Sequence, residues 1–320
     1  MIDYTYYIQK TLPYLPIHSF HQDESGWDNV AIIVNDEWLF RFPRKIEYAK
    51  KVPREKQLYE ALFPILQARQ IEVPNYHILY ENEGDSIPIC SYYKMIHGKP
   101  FKSSCLHNLS ISQKTHIAAQ LASFLAALHT VPLTLAKEWG FQAEQTVEYW
   151  KDLYIQLKDY LFNTFSIEET NHLKTLFQTF LEQLYTSTSL QTVIHADLTH
   201  HHILFHPQTK KIAGIIDIGD AQIGDPAFDF AGLYADYGHD FTLEVYNTYT
   251  ALTNNKDTTF FERIISFYQY SPILHNLLYG FETNNEQIIE TNKRELLRML
   301  EGIRSPPHHL NANTFFEVRA

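Results

Sequence analysis

The sequence predicts an α+β fold in two lobes: a small antiparallel sheet with one helix over residues 1–96, then a mainly helical lobe over 97–320. Three observations predict it. Short β-branched and aromatic runs separated by turn residues, Asn29 to Val34, Trp38 to Phe42 and Ile87 to Met95, fall in the first third of the chain. Stripes at helical spacing dominate the remaining two thirds, Gln113 to Thr130 foremost. The 320 residues, 45 % hydrophobic and 14 % aromatic, can bury a core large enough for two lobes.

In order, the residues up to about Leu15 read as a short amphipathic helix. Ile17 to Phe20 reads as a strand, followed by a polar loop from His21 to Trp27 that holds the Ser25-Gly26 turn. Asn29 to Val34 and Trp38 to Phe42 read as strands joined at Asn35-Asp36, a tight hairpin. Pro53 to Phe63 reads as a helix with Pro53 at its start, Glu55 in its first turn and Leu58 and Leu62 on one face. Pro64 is expected to kink or end it. The strand Ile87 to Met95 runs into Ile96-His97-Gly98-Lys-Pro100, a Gly and Pro boundary between the lobes.

Gln113 to Thr130 carries Ile117, Leu121, Phe124, Leu125 and Leu128 on one stripe, with Pro132 closing the helix. Tyr149 to Leu161 and Ile167 to Leu184 read as two further amphipathic helices. Val193-Ile194 and Ile215-Ile216 then read as short buried strands, each delivering polar residues at its end. Asp225-Pro226 looks like a helix start, with Asp225 as the cap. Thr242 to Leu252, Thr258 to Tyr279 and Asn285 to Ile303 read as helices, and the tail from Ser305 to Ala320 as partly extended.

Composition narrows the function classes. With 26 basic and 37 acidic residues the net charge is −11, which argues against nucleic acid and favours a cationic small molecule as partner. No run of eighteen apolar residues exists, so no membrane partner is expected. The N-terminus has neither the basic start nor the apolar stretch of a secretory signal. Cys90 and Cys105, at no metal-like spacing, fit a reducing, cytoplasmic setting. Monomer and dimer are both open.

The chemistry concentrates in Val193 to Leu233. Two carboxylates about twenty residues apart, each at a strand end, suit phosphoryl transfer: one accepts the substrate hydroxyl proton, the other holds the metal on the nucleotide phosphates. The motifs His195-Ala196-Asp197, Ile215-Ile-Asp217-Ile-Gly219-Asp220 and Gly224-Asp225-Pro-Ala-Phe-Asp229 stand in register over about forty residues, as in the kinase pattern. Together they resemble the aminoglycoside phosphotransferase family, of kinase-like fold, and within it the 2″-type enzymes.

The resemblance implies a small-molecule kinase that uses Mg²⁺ and either ATP or GTP. Asp197 would be the catalytic base, Asp217 a metal ligand, and His195, Asp225 and Asp229 architectural. His202 stands where kinases place a metal-binding Asn. Imidazole is a poorer Mg²⁺ ligand than an amide oxygen, which leaves one or two metals open. Ser25 and Gly26 would cover the phosphates, Arg41 would contact them in place of the usual Lys, and Glu55 would orient Arg41. Lys94, Met95 and Ile96 would line the base. Tyr93 is either the back of that pocket, which leans toward GTP, or a core aromatic. The acceptor's amines would meet Asp220, Asp236, Asp240 and Glu282, where Asp220 reads equally as a turn residue and Glu282 as an exposed helical acid. His200, His201, His202 and His206 also raise zinc, but consecutive residues point different ways. The rival readings are a macrolide phosphotransferase, a sugar or amino-alcohol kinase, and a silent nucleotide-binding protein.

Overall fold

The computed structural model describes residues 3–24, 26–162, 164–186 and 191–302, so Ser25, Ile303 and the tail from Ser305 lie outside the described residues. Helix α1 (Tyr4–Thr11) is capped by Asp3 and lies on a five-stranded antiparallel sheet. Its strands are β1 (Phe20–Asp23), β2 (Asn29–Val34), β3 (Trp38–Pro43), β4 (His77–Leu79) and β5 (Cys90–Lys94), in the order β1-β2-β3-β5-β4. Alternation sends Val30, Ile32, Val34, Phe40 and Phe42 to the α1 side, where they bury Ile8 and Cys90. Arg41 therefore faces the other way, toward the helical lobe. The β2–β3 hairpin turns at Asn35 (φ 57°) and Asp36 (φ 53°), both left-handed as a type I′ turn requires. The first strand lies three residues later than 17–20, because Phe20 to Asp23 pair with Val34 to Ala31.

Helix α2 (Ile46–Gln67) corrects the helix expected over 53–63. It starts seven residues earlier and carries both Pro53 and Pro64 inside it. Each proline removes one intrahelical hydrogen bond. The turns on either side bury Ala49 and Val52 before Pro53 and Leu66 after Pro64, and that packing keeps the helix continuous. Glu55 consequently sits in the third turn, where the N-terminal dipole no longer accounts for an acid.

The main core runs without a break from Leu58, Leu62 and Tyr93 into Phe124, Phe177 and Phe205. The two lobes are thus separate in topology but share one interior. After α2, Glu72 is bonded into the large lobe: its N–H donates to Ala213 O at 2.9 Å and its carbonyl accepts from Ile215 N at 3.0 Å.

Past the sheet come β6 (Lys99–Pro100), α3 (Ser103–His107), α4 (Ile111–His129), α5 (Leu133–Glu138), α6 (Val147–Leu161) and α7 (Ile167–Thr186). Strands β7 (Thr192–Ile194), β8 (Ile203–His206), β9 (Lys211–Ile215) and β10 (Gln222–Gly224) follow, then a 3-10 turn over Pro226–Phe228. The chain continues through α8 (Asp229–Thr253), α9 (Phe260–Ser266), α10 (Ser271–Glu282) and α11 (Glu286–Gly302). Central α4 starts with a Ser110/Gln113 capping box and packs on α8. The single helix expected over 258–279 is broken at Phe267 (φ −139°, ψ −55°), followed by a 3-10 turn at Tyr268–Tyr270, and α10 then starts afresh with Pro272 in its first turn, where a missing N–H costs no intrahelical bond. Helix α8 begins thirteen residues before Thr242 and kinks at Gly238 (φ 79°). Strand β7 pairs with β10 and β8 with both β6 and β9, which places the chain leaving β7 beside the chain leaving β9.

Candidate active site

The segment after β7 is held by one buried carboxylate. Asp229, at the first turn of α8 and 1 % exposed, accepts from His195 N and Ala196 N, both at 2.8 Å. His129 at the end of α4 contacts the same carboxylate at 3.0 Å through Nε2 and Tyr249 Oη through Nδ1. His195 is fully buried, and burial holds its imidazole below the usual pKa against the pull of Asp229. In the neutral ring Nε2 donates to Ile216 O at 3.1 Å and Nδ1 accepts from Asp197 N at 3.3 Å. Ala196 takes a left-handed φ of 66°, a strained value for a residue with a Cβ. These restraints present Asp197 to a cavity with its side chain 39 % exposed.

Asp217, after β9, also takes a left-handed φ of 63°. Its Oδ1 accepts from Arg41 Nη2 at 2.9 Å. Burial pushes its pKa up, but Arg41 and then His202 and His195 hold it well below the usual carboxylate range. Arg41 also faces Glu55 at 3.6 Å and donates to the Tyr76 hydroxyl. Burial raises the Glu55 pKa, and Arg41 opposes that rise.

His202 lies between Asp197 and Asp217. Its Nδ1 bonds Asp197 O at 2.7 Å and lies 3.5 Å from Asp197 Oδ2, while Nε2 is 3.7 Å from Asp217 Oδ2. Burial works against a charged ring, yet Asp197 and Asp217 together raise its pKa. With Nδ1 bonded to the Asp197 carbonyl, Nε2 is the ring nitrogen turned toward Asp217.

A cavity of about 300 Å³ opens in front of Asp197. Its acids are Glu144, Asp197 and Asp220; Tyr149 and His275, bonded at 2.6 Å, form a wall. Asp220 pairs loosely with Lys51 of α2 at 3.7 Å, and Glu144 with Arg54 of α2 at 3.9 Å. Gln222 orients the Glu144 segment by accepting from Glu144 N and Gln145 N. At the sheet end, Met95 N donates to Glu37 O at 2.7 Å, continuing the β3–β5 ladder. Alternation along an extended chain turns the Lys94 and Ile96 peptide groups to the opposite edge. Tyr93 is buried and stacked on Tyr76, and burial pushes its phenol up to about 12.

Residues 19–260 match the phosphotransferase enzyme family (APH). The chain belongs to this family. Among solved structures it is similar to the GDP complex of wild-type aminoglycoside 2′-phosphotransferase-IIIa, with 26 % identity, TM-score 0.79, and 94 % of this chain and 98 % of that one covered. A GDP and kanamycin complex of APH(2″)-IIIa matches equally, at 26 % identity and TM-score 0.79 over 93 % and 98 % of the two chains. A macrolide 2′-phosphotransferase from Brachybacterium faecium shares the fold at 17 % identity and TM-score 0.66, over 97 % and 100 %. Acyl-CoA dehydrogenase family member 11 of Mus musculus is 26 % identical over 227 residues. That match takes in 69 % of this chain and 27 % of the mouse protein, so the chain spans about a quarter of this curated relative's length.

For a member of the phosphotransferase family, the structure groups Arg41, Glu55, His195, Asp197, His202, Asp217 and Asp229 around one centre and brings Asp220 to the cavity beside it. It does not bring the other acceptor acids there. Asp236 is 4 % exposed, and its two oxygens take His200 N and His200 Nδ1, both at 2.7 Å, so it braces the segment after Asp197. Asp240 is fully exposed beside His239, Glu282 is exposed at the end of α10, and neither lines the cavity. Asp225 caps the 3-10 turn through Ala227 N and is bonded by buried Arg263 at 2.7 and 2.9 Å. Gly26 precedes Trp27, whose ring meets Tyr279 of α10 edge-on at 5.6 Å. Sequence reasoning missed Tyr76, His129, Glu144, Tyr149 and His275. Only Glu144 carried a usable signal, as an acid in the polar stretch just before an amphipathic helix.

Proposed function

We propose that the protein transfers the γ-phosphoryl group of ATP or GTP to a hydroxyl of an aminoglycoside-type acceptor. One observation supports this most: the Asp197 carboxylate faces a cavity whose other acids, Glu144 and Asp220, are more than half exposed and paired only loosely. Such a lining suits an acceptor that combines hydroxyls with ammonium groups. The solved relative in complex with GDP and kanamycin supports the same reading.

In this reaction Asp197 accepts the acceptor's hydroxyl proton as the new O–P bond forms and the bond from Pγ to the nucleoside diphosphate breaks. Arg41 holds the donor phosphates, with Lys94 and Ile96 offering backbone groups to the base. Asp217, kept ionised, supplies the hard oxygen donor that Mg²⁺ prefers. When bound, that ion neutralises phosphate charge. His202, whose Nε2 faces Asp217, stands where it would complete the metal's shell beside that carboxylate. The buried Tyr93 behind the base edge favours GTP use. Dependence on nucleoside triphosphate and the two free thiols, Cys90 and Cys105, agree with work in the cytoplasm.

The test is nucleoside diphosphate release with Mg²⁺, offering ATP and GTP against aminoglycosides, macrolides and simple alcohols. We expect stimulation by an aminoglycoside. Asp197→Asn should lower turnover by about 10²–10⁴-fold while leaving nucleotide binding in place. Slow hydrolysis indifferent to every acceptor would sink the assignment.

A further inference from the structure

We infer that Tyr76, which no sequence motif contains, is a positioning residue: its hydroxyl joins Arg41 to Glu55 and so fixes the guanidinium that meets the donor phosphates. This rests on the phosphotransferase reading. Arg41 Nη1 and Glu55 Oε2 stand 3.6 Å apart, outside hydrogen-bond reach. The Tyr76 hydroxyl fills that gap, accepting from Arg41 Nη1 and donating to Glu55 Oε2 at 3.2 Å. The polarity admits only this order. A guanidinium only donates, an ionised carboxylate only accepts, and a phenol hydroxyl does one of each.

The ring that carries the hydroxyl has little freedom. Tyr76 is 1 % exposed, stacked on Tyr93 with centroids 5.1 Å apart and planes at 19°, and tilted against Tyr59 at 5.0 Å. Four residues before it, Glu72 is bonded to β9 of the large lobe. The hydroxyl is therefore referenced to the same lobe that holds Asp217. Arg41 then has two anchors for its planar fork, Asp217 at Nη2 and Tyr76 at Nη1. A lysine has three N–H donors but presents them from one nitrogen, so it would not hold Asp217 and Tyr76 with two separate, planar nitrogens as Arg41 does. The substitution of Arg for Lys at this strand and the tyrosine beside it read as one device. Among the described residues, removing the hydroxyl leaves Asp217 hydrogen-bonded and Glu55 at 3.6 Å, and frees the fork to turn away from the phosphates.

Tyr76→Phe keeps the ring stack and deletes only the hydroxyl. The affinities of ATP and GTP would be measured without acceptor, followed by steady-state kinetics and thermal unfolding. We expect nucleotide Kd and KM to weaken by about tenfold or more, as for loss of a hydrogen bond to a charged group, with acceptor KM unchanged. In an Arg41→Lys background the same change should have little further effect. Equal nucleotide affinity in wild type and Tyr76→Phe, or full additivity with Arg41→Lys, would overturn the inference. Should Tyr76→Phe not fold, Tyr76→Met, which fills the site without a hydroxyl, takes its place, with the same weakening of nucleotide affinity expected and wild-type affinity fatal. Wild-type protein that binds neither nucleotide would remove the phosphotransferase reading itself, a result separate from either.

Discussion

Asp229 serves three donors from one buried position, the N–H groups of His195 and Ala196 and the ring of His129. Replacing it with Ala would leave all three facing an apolar interior. Breaking a buried charged network in this way costs about 3–5 kcal/mol. Asp229→Ala should therefore lower the unfolding midpoint sharply in a denaturant titration, and the loss of Asp197 placement should lower turnover in whatever protein still folds. A variant as stable as wild type would show that Asp229 is not what holds the loop. That His195, Asp197, Asp217 and Asp229 stand together was legible in the sequence because short, fixed spacings at strand ends place them there. His129 was not, since it reaches Asp229 across 100 residues and its helix reads equally well with any apolar side chain there. Tyr76 was hidden for the same reason, among 21 tyrosines. Asp236 misled because an acid near the cleft by position faces His200 instead.

Helix α8 sets where the segment carrying Asp197 can lie. A Cβ on Gly232 would sit 2.2 Å from Leu198 O, immediately after Asp197, and at that distance backbone must move. Gly232→Ala should depress turnover more than stability, read as a fall in kcat with a modest change in midpoint. The reverse pattern would mean that the helix moves and the loop does not. The junction of α8 with α9 depends on Arg263, fully buried between Asp225 and Asp257. Burial raises the Asp257 pKa, but Arg263 and Thr259 bring it below its ordinary value. A depressed carboxylate pKa gives stability that is full above the unfolded value, about 4, and is lost as pH falls through the folded one. Asp257→Asn should thus lose less stability than wild type between about pH 5 and pH 3, measured by denaturant unfolding at each pH. Elements were most legible where a hydrophobic stripe was long and uninterrupted, as in α4. Boundaries failed at prolines: Pro53 and Pro64 looked like helix ends, yet burial on both sides of each carried α2 through.

Across the whole molecule, the two lobes meet over the cavity in front of Asp197 through charges as well as through the shared core. Lys51 and Arg54 of α2 reach Asp220 and Glu144, so the acids that would bind an acceptor already face cations from the nucleotide side. The cations are the better covered partners, at 25 % and 14 % exposure against 60 % and 56 % for the acids. The acids therefore keep free oxygens toward the cavity. The two-lobed plan was legible because strands and helices segregate along the chain, whereas this cross-lobe pairing was not, because it joins residues with no sequence relation. It predicts a selective phenotype. Glu144→Gln and Asp220→Asn should each raise KM for acceptors that carry several ammonium groups, leave nucleotide KM close to wild type, and act little on a neutral alcohol. Pairs this exposed are screened by salt, with a Debye length of about 8 Å at physiological ionic strength. The wild-type KM for a polycationic acceptor should accordingly rise with added salt, and the slope should flatten in the Glu144→Gln/Asp220→Asn double variant. An unchanged slope would mean that the acceptor's charges are met elsewhere in the cleft.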